Sequence, residues 1–84
     1  MKIYDYNGRK NICGNRIREA RVRRNLSQAE LAAKMQTEGI IIERESISRI
    51  EIGTRFVPDY ELPFFAKVLN LTLEELLSDT QEEK

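Results

Sequence analysis

The segment 26–55 constrains this chain most, because it opens on a helix start whose signals are local and reciprocal. Ser27 and Glu30 form a capping box, in which each side chain satisfies an orphan backbone N–H of the first turn. Leu26 and Leu31 stand at the two staple positions that fix the entry of the chain. The helix predicted from this start covers 27–36 and turns Leu31, Ala32 and Met35 inward. A further helix is predicted over 43–51. At about 100° per residue, Ile47 and Ile50 share one side of it, and Glu45, Ser48 and Arg49 share the other. One face is apolar and anchored; the other carries hydrogen-bonding groups of both signs. Two such helices in succession suit a helix-turn-helix, which lays polar side chains on base edges.

The run Leu26-Ser27-Gln28-Ala29-Glu30-Leu31-Ala32, followed by Ile47-Ser48-Arg49-Ile50-Glu51, Gly53 and Arg55, resembles the Cro and phage-repressor helix-turn-helix family. That family is also called the XRE family or lambda-repressor-like domain. Single pieces such as Ser-Gln-x-Glu-Leu-Ala are weak signals, whereas all of them in order are strong. The resemblance covers residues 12 to 77 and implies an all-α, compact five-helix domain. It divides the chain into an N-terminal arm, 1–11, a helix-turn-helix DNA-binding domain, 12–78, and an acidic C-terminal tail, 79–84.

One domain is what 84 residues have room for, and an all-helical bundle of this size folds without covalent staples. With a single cysteine, Cys13, and no histidine, there is no intrachain disulfide and no protein-only zinc site, and no base to activate a thiol. Cys13 therefore reads as a small buried hydrophobe. No metal, cofactor or enzymatic activity is expected: the sequence has no Gly-rich phosphate loop and no H-E-x-x-H. No apolar run is long enough to span a membrane and the N-terminus lacks a signal-peptide core, so a cytoplasmic protein is expected. The net charge is zero, but it is unevenly placed. Residues 1–58 hold 12 Lys/Arg against 7 Asp/Glu, a balance of +5, and 59–84 hold 2 against 7, a balance of −5. A basic front and an acidic rear fit a domain that sits on phosphate with one side.

In chain order, residues 1–11 show weak alternation around Ile3, Tyr4 and Tyr6 before Asn7-Gly8, a hairpin-type turn dipeptide. Arg9 and Lys10 read first as solvated residues, with reach to a phosphate or the minor groove as the second reading. A first helix is predicted over 15–24, with Ile17 and Ala20 inward and Arg16, Arg18, Arg23 and Arg24 around them. Arg21 lies on the inward edge, and the family resemblance implies an ion pair between it and Glu51. Six residues, 37–42, separate the two central helices, where a tight motif uses roughly three to four. Gly39 supplies the positive φ that ends the earlier helix, and Ile42 fills the apolar slot before the later one. Of the extra residues Ile40 and Ile41, one is expected to extend the core and the other to be partly exposed. A fourth helix is predicted to open near Asp59 and to bury Leu62, Phe65, Ala66 and Leu69, with Pro63 tolerated in its first turn. Thr72 with Glu75 and Leu71 with Leu76 repeat the capping grammar for a fifth helix. No inducer-binding segment is expected after it.

The expected function is sequence-specific double-stranded DNA binding as a transcriptional regulator, a repressor, with the 43–51 helix in the major groove. Base reading is assigned to Arg44, Glu45, Ser48 and Arg49, either arginine being able to fork onto guanine O6 and N7. Two roles suit Glu45, acceptance from cytosine N4 or an i,i+4 pair that orients Arg49, and the spacing favours the second. Phosphate contacts are assigned to Ser27 and Gln28 at a helix start, where N–H groups and the dipole favour an anion. The resemblance adds Thr54 and Arg55, where the family's loop crosses the DNA backbone, and gives Gln28 the further task of bracing a base-reading side chain. A homodimer joined through Leu73 and Leu77 of the fifth helix would read two half-sites. The rival reading is a protein-binding module, because lambda-repressor-like domains also serve as antitoxins and adaptors. Val22, Val68, Leu73 and Leu77 would then face a protein partner.

Overall fold

Helix starts and stops written into short stretches of the chain lay out the whole architecture. The computed structural model describes residues 6–78, and the expected acidic tail, 79–84, and the start of the arm, 1–5, lie outside them. Among the described residues there are five α-helices and no strand: α1 Gly14–Arg23, α2 Gln28–Thr37, α3 Arg44–Ile52, α4 Leu62–Leu69 and α5 Leu73–Leu76. Both capping boxes form in full, Ser27 with Glu30 before α2 and Thr72 with Glu75 before α5. A single 3-10 turn, Asp59–Glu61, leads into α4. Asp59 therefore does not cap α4 as its sequence position suggested; the preceding residue is Glu61, and Pro63 lies in the first turn.

Four helices end the same way. Asn25, Gly39, Gly53 and Asn70 adopt left-handed φ values of 60°, 94°, 92° and 58°. In each case the next residue closes the turn: Leu26 donates to Arg21 O, Ile40 to Met35 O, Thr54 to Arg49 O and Leu71 to Ala66 O, all within 2.8–3.1 Å. These i→i−5 closures satisfy carbonyls that the helix itself leaves without partners. The lengthened turn after α2 is also tied down, because Gln36 Nε2 donates to Ile42 O at 2.8 Å and Lys67 holds Glu38 at 2.8 Å. Ile40 packs against the core and Ile42 is buried, whereas Ile41 is 84 % exposed.

The core lies where α1, α2, α3 and α4 meet, and Ile17, Leu31, Met35, Ile47, Ile50 and Phe65 are completely enclosed there. Leu76 of α5 closes one end of it. Burying side chains of this size is worth about 1.5–3 kcal/mol each, the main favourable term available to so short a chain. The α1–α3 crossing is closest at Gly14, where a Cβ would collide with the carbonyl of Ile50. Only glycine permits that approach.

The N-terminal segment departs from expectation. Asn7 and Gly8, both at positive φ, make the turn their sequence announces, and Tyr6 and Arg9 exchange two backbone hydrogen bonds of 2.7 and 2.9 Å across it. Residues 9–11 are not a free arm, however. Lys10 N–H donates to Gly53 O at 2.8 Å, and the Lys10 ammonium lies 5.4 Å from the centre of the Phe56 ring. Arg9 and Asn11 reach the end of α3, so this part of the arm is ordered by packing against the domain.

Candidate nucleic-acid interface

The helix α3 carries the outward face that the sequence pattern predicts. Ile47 and Ile50 are fully buried, and Glu45, Ser48, Arg49 and Ile52 form the opposite stripe at i, i+3, i+4 and i+7. Glu45, Arg49 and Ile52 are exposed and Ser48 is half-buried. Arg49 makes no ion pair among the described residues, which leaves its guanidinium open to an outside acceptor. Ile52, 64 % exposed at the last turn of the stripe, carries no polar group and escaped a reading that looked only for hydrogen-bonding side chains.

The expected Glu45–Arg49 pair does not form. Glu45 instead lies 3.4 Å from Arg44 Nη2, and both side chains remain more than half exposed. The i,i+4 spacing permits such a pair but competes with a neighbour whose long side chain folds back along the helix start. An exposed contact of this length is worth little. It leaves Arg49 free and keeps Arg44 within reach of the same surface.

The opposite edge of α3 is bound into the domain. Glu51, 5 % exposed, accepts Arg21 Nε at 2.7 Å and Arg21 Nη2 at 3.0 Å, a two-bond fork between α1 and α3. The same guanidinium donates through Nη1 to Leu26 O at 2.8 Å. Gln28 Nε2 adds a third donor to Glu51 at 3.0 Å. Its amide nitrogen therefore points to the buried carboxylate. A buried anion with an unfilled lone pair is a stronger attractor than solvent. The Ser27 hydroxyl accepts Glu30 N–H, and the Glu30 carboxylate accepts Ser27 N–H. The capping box thus leaves the backbone N–H groups of Gln28 and Ala29 at the positive end of α2.

The Arg55 guanidinium, expected at a phosphate, forks onto Glu61 at 3.1 and 3.3 Å within the domain and touches Phe56 O at 3.2 Å. Glu61 is 3 % exposed, and a carboxylate so enclosed requires a cation. The sequence holds a weak sign of this, an arginine and a glutamate six residues apart on either side of a Pro-containing turn, but no spacing rule turns it into a contact. Thr54 is exposed, with its hydroxyl 3.4 Å from Arg49 O. Leu73 of α5 and Leu77 just after it are 46 % and 39 % exposed.

Two polar residues outside the predicted set complete the arrangement. Asn11 accepts Gly14 N–H at 2.8 Å and donates to Ile50 O at 3.0 Å and Arg55 O at 2.8 Å. Arg9 Nη2 donates to Glu51 O at 3.0 Å. Asn11 precedes the first helix, and the taste of asparagine for helix starts could have flagged its acceptor half. Nothing in the sequence points to its donor half.

The family model described as Helix-turn-helix domain matches residues 14–82. No curated protein and no solved structure matches the chain. Among the described residues, no helix is long and apolar enough to cross a membrane.

Proposed function

The chain belongs to the helix-turn-helix domain family, and from that premise we propose that it is a Cro- and phage-repressor-type regulator that binds double-stranded DNA sequence-specifically. The observation that carries this reading is the exposed stripe of α3, with Arg49 free of ion pairs, beside the unfilled N–H groups that start α2. In this reading α3 enters the major groove, and Arg49 and Arg44 donate to guanine O6 and N7. Ser48 supplies a shorter-range hydroxyl. Glu45, held near Arg44, either orients that guanidinium or accepts from cytosine N4. Phosphate oxygens meet the N–H groups of Gln28 and Ala29, the Ser27 hydroxyl and the Thr54 hydroxyl.

The regulator acts as a repressor and a homodimer. One nine-residue helix spans only a few base pairs, so two half-sites about one DNA turn apart are needed for useful affinity. Leu73 and Leu77, exposed apolar side chains on and just after α5, supply the self-association surface. Selection of bound sequences from a random duplex pool tests the function directly. Enrichment of a two-fold-related motif is expected. A pool that enriches nothing would leave the module that holds a protein partner, an antitoxin or adaptor, as the better account of exposed Val22, Leu73 and Leu77. Sedimentation that shows a monomer both free and on the selected duplex would remove the dimer.

A further inference from the structure

We propose that Arg9 and Asn11, which precede the matched helix-turn-helix region, are positioning residues that fix how α3 presents its outward face while touching no DNA themselves. The proposal rests on the DNA-binding reading above. A helix leaves its last carbonyls without internal partners. At the end of α3, Arg49 O is closed by the N–H groups of Gly53 and Thr54, which is the helix's own stop. Ile50 O accepts Gly53 N–H at 3.1 Å and Asn11 as well, while Arg9 holds Glu51 O and Lys10 N–H holds Gly53 O. Arg9 also brings a cation to the negative end of the α3 dipole.

The Arg9 and Asn11 side chains lie close against the glycines of both helix ends. A Cβ on Gly53 would lie 2.8 Å from Arg9 Cζ, and one on Gly14 would lie 2.8 Å from Asn11 Oδ1. Asn11 alone joins the start of α1, the end of α3 and the following loop. At the start of α3 Glu43 makes no side-chain cap, and the hold comes from the buried Ile42 before it, whose carbonyl accepts Gln36 Nε2 at 2.8 Å. A change in how the clamped end is held would therefore be magnified along the helix towards Arg44. From Ile52 to Arg44 the axis is roughly 12 Å long at 1.5 Å per residue, so a 10° tilt displaces the start by about 2 Å. That exceeds the whole range of a good N–H···O distance, about 2.7–3.2 Å.

The experiment uses the full chain and the duplex motif selected with the wild type. Arg9→Ala and Asn11→Asp are compared at a temperature where circular dichroism shows each variant folded, with Arg9→Lys as the conservative partner. If the clamped geometry falls to one molecule in ten, apparent affinity for the motif falls about tenfold. The expected result is that loss in Arg9→Ala, with an unchanged salt slope, faster amide exchange in the last turn of α3 but not in α4, and partial rescue by Arg9→Lys. Wild-type affinity in folded Arg9→Ala would overturn the proposal, and so would a salt slope reduced by about one, which marks a phosphate contact. If Asn11→Asp does not fold, Arg9→Ala decides alone. A wild-type chain that enriches no motif defeats the DNA-binding reading itself, and this inference with it.

Discussion

The two ends of α3 are built on opposite plans. At its start, Arg44 and Glu45 are exposed, Glu43 offers no side-chain cap, and the adjoining Ile41 stands 84 % in solvent. At its end, Glu51 is enclosed by Arg21 and Gln28, and the terminal carbonyls are held by residues 9–11. Both ends carry arginine and glutamate, so composition does not separate them. What separates them is solvent. In water a charged pair gains almost nothing, and its members stay available to a new partner. Enclosed, the same pair becomes a structural joint that cannot lose one member without leaving a charge stranded.

The strongest challenge to this contrast is Glu51→Ala. It strands the largely buried Arg21 guanidinium and frees Gln28, so a loss of about 3–5 kcal/mol is expected in urea unfolding. A loss below about 1 kcal/mol would show that the closed end is no joint. Arg55→Ala should follow, at about 2–3 kcal/mol, because Glu61 is left buried and unpaired while Arg55 itself is partly exposed. This variant distinguishes a structural arginine from a phosphate contact: the melting temperature should drop, and the salt slope of the remaining folded protein should stay unchanged. Arg49→Ala tests the open side. Its stability should change by no more than about 0.5 kcal/mol, whereas discrimination at one base position should fall by about 1–3 kcal/mol in competition binding. Equal loss across all sequences would assign Arg49 to the backbone instead.

The smallest expected effect lies at Cys13, a buried residue at the start of α1. Burial pushes the Cys13 thiol up from near 9 to about 11, with small opposing contributions from its own backbone hydrogen bond and Arg9. The folded chain therefore keeps this proton at a pH where the unfolded chain releases it. Stability from this group is fully present below about pH 9 and is lost as pH rises from there towards 11. Unfolding midpoints measured across that window should fall in the wild type and fall less in Cys13→Ala. A thiol reagent at pH 8 should label the folded protein only as fast as it opens.

Local chemistry within one or two turns was legible in the residues. Ser27 with Glu30 and Thr72 with Glu75 start helices here, and Gly39 and Gly53 stop them, because each partner lies within a few residues and no distant group is needed. The 3.6-residue period likewise fixed which side of α3 carries Ile47 and Ile50 and which carries Glu45, Ser48 and Arg49. The Arg21–Glu51 contact came from family resemblance, since no local rule joins residues 30 apart. Only the packed structure decided that Arg55 faces Glu61, that Gln28 turns to Glu51, and that Arg9 and Asn11 hold the end of α3 from 42 and 39 residues away. A charged or amide side chain goes to whichever acceptor burial leaves in greatest need. That need exists only after the helices have packed and excluded water, so sequence spacing does not carry it.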